Sequence, residues 1–223
     1  MDSRIQPPNL LNDDGTASMA TALMMSHHAF RRDLSRYQRA VEHGPVTAAT
    51  MREEWQWYRT ALHGHHQAED TGIFPDLKRK QPALAATIDR LTADHHRIDP
   101  LLERGDAAFA DLAEMRSEAV AVLRALSALL APHLATEESE IVPFLRDARE
   151  FPAPENEEQA ALYAQGFAWS SNGIAPEVLA RVDDMLPPLL RAKLPAARAA
   201  YDAKCAKLWK REKPLASRTS VPQ

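Results

Sequence analysis

Six side chains in this sequence are of the types and spacing that could hold metal ions: His27, His65, Glu69, His95, His133 and Glu137. His65/Glu69 and His133/Glu137 are i,i+4 pairs. On a helix this sets an imidazole and a carboxylate one turn apart on one face, within reach of a shared ion. His27 to His95, His65 to His133 and Glu69 to Glu137 all share one 68-residue offset. Around the second pair, HHQAEDTGIFPDL (65–77) matches HLATEESEIVPFL (133–145) as H-x3-E-[ED]-x2-I-x-P-x-L. A duplicated helical hairpin would produce that register and a site with pseudo-two-fold symmetry.

The six groups fall on apolar stripes of helical spacing. The stripes run Leu23, His27, Phe30, Leu34, Tyr37, Val41; Met51, Trp55, Tyr58, Leu62, His65, Glu69; Leu84, Ile88, Leu91, His95, Ile98, Leu102; and Leu123, Leu126, Leu130, His133, Glu137. They predict four helices at about 16–43, 46–79, 83–113 and 114–148, with breakers at His43-Gly44-Pro45 and Gln81-Pro82 and a suspected interruption at Gly105-Asp106. Each stripe buries one helix face, which makes an all-α, up-down-up-down four-helix bundle. In such a bundle alternate helices meet a given layer from opposite ends. His27 and His95 lie about 11 and 12 residues after their helix starts, and Glu69 and Glu137 about 10 before their helix ends, so all six reach one layer. A polar group on a buried face is costly unless paired or bound to metal, and six in phase at one depth point to metal. His28, His66 and His96 fall on polar stripes and are expected at the surface or supporting a ligand, with His43 and His63 likewise outside.

Outside the bundle, 1–15 reads as a flexible arm and the Pro- and Glu-rich 149–162 as a linker. Residues 163–223 read as a C-terminal helical extension packing on the bundle or a partner subunit. Pro176 and Pro195 are placed to open helices, the second an amphipathic one over 195–210 with Cys205 on its apolar stripe as a buried, inert thiol. Trp169 to Gly173 form a turn-rich stretch. The basic cluster Lys204, Lys207, Lys210, Arg211 and Lys213 reads as a solvated face.

Composition excludes several classes. Hydrophobic residues make up 45% and charged residues 26% of the chain, as in a globular protein, and glycine occurs only seven times, which favours helix. A net charge of −4 supplies no basic field for nucleic acid or anionic lipid. No uninterrupted apolar run approaches the roughly 20 residues of a membrane span. The polar, acidic N-terminus is unlike a secretory signal, and a single cysteine excludes an internal disulfide, so a cytoplasmic location is expected, as monomer or homodimer.

The motifs HHAFRRDL, HHQAEDTGIFP, DHHRID and HLATEESEIVPFL, spread over about 16–148, resemble the hemerythrin-like (HHE cation-binding) family. The resemblance implies a non-haem di-iron centre: two iron ions (Fe2+/Fe3+), oxo- or hydroxo-bridged. Glu69 and Glu137 would be bridging carboxylates, with His27, His65, His95 and His133 as terminal ligands. The oxygen carriers of the family place a second histidine one turn after the third-helix histidine. Here that position is Asp99, open to two readings: a weak extra ligand, or an acceptor that orients a histidine. The carriers place the fourth-helix carboxylate at the position of Glu138, but Glu137 is better in phase. Tyr58, two turns before His65, is read as a core tyrosine or as a phenol reaching the site. Four imidazoles with two or three carboxylates suit iron, or less well manganese, and are too hard and too numerous for a structural zinc site. Fewer histidines leave open positions that favour reaction with dioxygen, hydrogen peroxide or nitric oxide over reversible oxygen carriage. Two other classes stay open: a di-iron oxidase or oxygenase acting on an organic substrate, which needs a cavity beside the metals, and an iron- or oxygen-responsive regulatory protein.

Overall fold

The computed structural model describes residues 10–44 and 46–209, and every described element is helical. Helix α1 is Met19–His43 and α2 is Ala48–Ala68, opened by Thr47, whose hydroxyl accepts from the Thr50 amide at 3.2 Å. A π turn over Glu69–Ile73 joins α2 to α3 (Phe74–Lys80). Helix α4 (Ala85–Ala110) and α5 (Arg116–Thr136) form the second half, and α5 ends in another π turn, Glu137–Ile141, and a 3-10 turn, Val142–Leu145. The extension is α6 (Glu157–Ser171), α7 (Pro176–Met185) and α8 (Pro188–Leu208).

The two π turns repeat the 68-residue register, and the shared I-x-P motif explains them. Pro75 and Pro143 lack an N–H and crowd the carbonyl four residues earlier, so the helix widens there. Phe74 N–H and Val142 N–H reach back five residues to the carbonyls of Glu69 and Glu137. One extra residue per turn brings the carboxylates, and the acidic residues after them, round toward the bundle axis.

The four bundle helices match the predicted ones closely. Gly105 does not interrupt α4; it makes room for Trp55, since a Cβ there would lie 2.0 Å from Trp55 Cζ2, while the indole N–H donates to Asp106 Oδ1 at 2.9 Å. One apolar core, built on Tyr37, Trp55, Tyr58, Phe109, Leu123 and Leu126, fills one end of the bundle. A second, with Leu23, Met25, Phe74, Ile88, Leu91 and Ile141, fills the other and continues into Val178, Val182 and Leu190 of the extension. The polar layer lies between them. By length and composition Arg116–Leu145 is apolar enough to cross a membrane, but it carries Arg124, His133 and Glu137 and packs on α1 and α4 within the bundle.

Outside the bundle several expectations change. Residues 10–15 are pinned rather than free: Leu10 is buried, its carbonyl accepts from Thr21 Oγ1 at 2.7 Å, and Asn12 donates to the Arg146 carbonyl at 3.0 Å. Helix α6 starts at Glu157, inside the expected linker, because Asn156 caps the Gln159 amide and Glu157 and Glu158 suit a helix N-terminus. Trp169 to Ser171 are its buried last turn, and only Asn172 and Gly173 form a turn. Pro195 sits inside α8, which Pro188 opens instead; burial of Leu190, Leu194 and Tyr201 offsets the lost hydrogen bond. Cys205 is half-buried, and burial raises its thiol pKa. Of the basic cluster, Lys210, Arg211 and Lys213 lie outside the described residues, as do residues 1–9 of the arm.

Asp33 fastens the extension to α1. Trp169 Nε1 donates to its Oδ2 at 2.7 Å, and Arg32 pairs with it at 2.7 Å while donating to the carbonyls of Trp169 and Asn172 and to the Tyr201 hydroxyl.

Candidate metal centre

The bundle brings all six sequence-derived residues into one layer, each buried or nearly so. Glu69 Oε1 lies 3.2 Å from His65 Nε2, and its Oε2 lies 3.5 Å from His95 Nε2. Glu137 Oε2 lies 3.2 Å from His27 Nε2, and its Oε1 lies 3.1 Å from His133 Nε2. Each carboxylate therefore turns one oxygen toward each of two histidine groups. His27, His65, Glu69 and Glu137 form one set whose donor atoms all lie within 4.8 Å of one another.

The second set corrects the sequence reading, and its extra imidazole removes the shortage of histidines from which open metal positions were expected. His66, expected on a polar stripe, is 6% exposed, and its donor atom lies within 4.8 Å of those of His95 and His133. Its ring stacks on His95 at 4.0 Å. Two features of the sequence carried this signal. Leu62, His66 and Glu69 share helical core spacing, so the apolar arc of α2 is wide enough for both histidines of the doublet. In the repeat the counterpart of His66 is Leu134, an apolar and fully buried residue.

His27 and His95 are each held in one tautomer by their other nitrogen. His27 Nδ1 donates to Glu138 Oε1 at 3.0 Å, and Arg31 grips the same carboxylate. His95 Nδ1 donates to Asp70 Oδ2 at 2.9 Å, and Thr92 donates to Oδ1. His65 Nδ1 lies 3.4 Å from Ser26 Oγ, whose proton goes to the Leu23 carbonyl, and His133 Nδ1 lies 3.7 Å from Asp94. A proton on Nδ1 leaves the Nε2 lone pair facing the layer. Asp70 and Glu138 are again repeat counterparts, the [ED] position of the shared motif. Asp99, one reading of which was this orienting role, is exposed, and Asp70 performs it instead. His43, His63 and His96 are exposed, while His28 is half-buried against the Asn172–Gly173 turn. Tyr58 is a core residue packed on Phe30, Tyr37 and Trp55, with its hydroxyl buried and lacking a hydrogen-bond partner.

The donor set fits a metal site. The Nε2 atoms of His27, His65, His66, His95 and His133 and all four oxygens of Glu69 and Glu137 are buried without a well-directed hydrogen bond. Each such atom left unmet costs about 1–3 kcal/mol, a heavy load against a typical domain stability of about 5–15 kcal/mol. The N···O separations of 3.1–3.5 Å have another meaning. Two donors about 2.1 Å from one ion, at right angles, stand about 3 Å apart, so these separations suit pairs of donors that share an ion.

Without metal the layer is electrostatically divided. Burial and the charges of Glu137 and Asp70 push the Glu69 carboxyl well above its usual range. Burial also opposes the charge on Glu137, but His133 and His27 outweigh it and hold that carboxyl low. Burial lowers His27 as well, yet Glu137 and Glu138 raise it overall. Burial and the neighbouring His27 drop His65 to about 3, and burial with His95 drops His66 further. Most of the imidazoles are thus neutral and ready to donate.

Two openings flank the layer. A polar cleft of about 780 Å³ runs beside Glu138, Arg146 and Arg149. On the other side an apolar cavity of about 380 Å³ between α1, α2 and α6 reaches His65 and Glu69.

Comparison with known proteins agrees with this geometry at the level of the family. Neither the curated proteins nor the solved structures give a match. A family model, the hemerythrin HHE cation binding domain, matches residues 18–145, which takes in α1 to α5 and every residue of both donor sets. The chain belongs to the hemerythrin HHE cation-binding domain family, whose members are metal-binding helical proteins.

Proposed function

We propose that this chain is a non-haem di-iron protein that binds or reacts with small oxidants: dioxygen, hydrogen peroxide or nitric oxide. One observation carries the reading. Glu69 and Glu137 each present one oxygen to each of two histidine groups, the arrangement two carboxylates take when they span a pair of ions. His27 and His65 would complete one ion, and His66, His95 and His133 the other. Iron is preferred to manganese because five imidazoles make a nitrogen-rich set, whereas manganese favours oxygen donors.

Bound iron would supply the electrons that reduce an oxidant; the chain's residues supply the rest. Asp70 and Glu138 fix the rings of His95 and His27, and Arg31 keeps Glu138 charged and in place. Phe30 packs against the His65 ring at 5.2 Å and gives it an apolar neighbour. The polar cleft gives small polar molecules and protons a way toward Glu138. Four residues would hold one ion and five the other, fewer than six donors each, which would leave room for an incoming molecule.

The test is metal content together with the visible spectrum of anaerobically reduced protein before and after air. The expected result is about two irons per chain, with new near-ultraviolet and visible bands on oxidation. A single zinc, or no metal after loading, would overturn the reading.

A further inference from the structure

The apolar cavity is a built feature of the chain. Its lining holds one acidic side chain, Glu69, and is otherwise dominated by groups such as Leu23, Phe30, Phe151, Tyr163 and Phe167. Its volume of about 380 Å³ falls within the range of about 300–1,000 Å³ of small-molecule sites, which are likewise lined mainly by apolar groups with a few polar ones. Here the metal-donor residues His65 and Glu69, with Ser26 beside them, form one polar end, while Thr60, Tyr163 and Ser170 add hydroxyls elsewhere in the lining.

Three further observations make it more than a packing gap. First, α4 and α5, the repeat counterparts of α1 and α2, pack closely on each other, whereas α1 and α2 make far less contact. The duplicated hairpin is closed in one half and wedged open in the other, and α6 roofs the open half. Second, glycines line the space on both sides. A Cβ added at Gly64 of α2 or Gly166 of α6 would meet nothing within 4 Å. Third, the cavity meets the less heavily ligated set. His65 belongs to the four-residue group, in which Leu134 stands where the repeat would call for a fifth donor.

We infer that this cavity binds a small, neutral, largely apolar organic molecule, such as a simple phenol or short-chain alcohol, with its one polar end against His65 and Glu69. The inference rests on the di-iron reading only for what the polar end would meet; the apolar binding site exists with or without metal. Anions are excluded because the lining carries no lysine or arginine to pair with them. Leu162, 55% exposed, lies at the rim and leaves the cavity accessible from solvent.

The experiment is calorimetric titration of the full chain, metal-free and iron-loaded, with 4-ethylphenol, and with the anion 4-hydroxybenzoate as control. Metal content is measured on every sample. Saturable binding of 4-ethylphenol by both forms is expected, with the anion bound about tenfold or more weakly. Gly166→Leu should fill the cavity, weaken 4-ethylphenol by about tenfold or more and leave metal content unchanged. Gly64→Leu serves the same purpose from α2 should the first variant not fold. In the loaded protein a shift of the visible bands on adding 4-ethylphenol is expected only if the polar end reaches the metals. Absence of saturable binding to both forms, or equal affinity in the filled variants, overturns the inference. Iron at two per chain without binding would defeat the cavity alone. Binding to a chain that never takes up iron would defeat the di-iron reading alone.

Discussion

His66 makes the two donor sets unequal. It gives the second set a third imidazole, and Leu134 denies the first set its counterpart. His66→Leu makes the halves alike. We expect the variant to fold, because Leu134 already packs fully buried at the equivalent place, and to lose its second metal first when dialysed against a chelator. Elemental analysis reads this directly; retention of both metals at wild-type strength would remove His66 from the ligand set. Asp70→Asn tests a different role. It keeps the shape but weakens the acceptor for His95 Nδ1, and loss of such a partner lowers metal affinity by about 10–100-fold. Glu138→Gln should act likewise on His27. Sequence periodicity shows why some of this was legible. His27, His65, Glu69, His95, His133 and Glu137 fall on the centre lines of their stripes. His66 lies at the edge of an arc drawn too narrow, and Asp70 and Glu138 lie inside the π turns, where the α-helical period no longer applies.

Helix boundaries in the bundle followed from stripes and breakers, since burial and chain termination depend on local residue types. Tertiary contacts escaped that reading. Gly105 reads as a breaker, but α4 continues through it because the Trp55 indole occupies the space of a side chain. Gly105→Ala should therefore destabilise the protein by about 1–3 kcal/mol, the usual result of overpacking, although alanine is the better helix former. Gly64→Ala is the control: its Cβ meets open space, so the helix-propensity gain of about 1 kcal/mol should appear undiminished. Urea unfolding of both variants gives the comparison, and a stabilising Gly105→Ala would mean that the α2–α4 contact is looser than it is drawn. The start of α6 and the interior position of Pro195 escaped for the same reason. A cap such as Asn156 outweighed a loop-like composition, and burial against α6 outweighed a proline.

At the scale of the molecule, the extension and the bundle meet around one buried ion pair. Burial opposes the charge on Asp33, but Arg32, Trp169 and Arg36 outweigh it and hold its carboxyl below the usual carboxylate range. A carboxyl held lower in the folded state than in the unfolded one stabilises fully above the unfolded value, about pH 4, and loses that contribution as pH falls through the folded value. The extension should accordingly loosen below about pH 4, seen as a loss of near-ultraviolet tryptophan signal. Asp33→Asn should flatten that part of the profile and cost about 3–5 kcal/mol at neutral pH, because Arg32 stays buried without its partner. Deletion of 155–223 separates what the extension does for the fold from what it does for the site. Both donor sets lie between His27 and Glu137, so the shortened chain should bind as many metal ions as the full one. It should melt lower, since Phe30 loses Trp169 and the second core loses Val178, Val182 and Leu190. Each kcal/mol lost lowers the midpoint by about 2–4 °C in a chain of this size. The roof of the apolar cavity goes with α6, so binding of 4-ethylphenol should vanish while metal content holds. Loss of metal on truncation would instead make the extension part of the centre, and the Phe30–Trp169 contact beside His65 would be the first place to look for the cause.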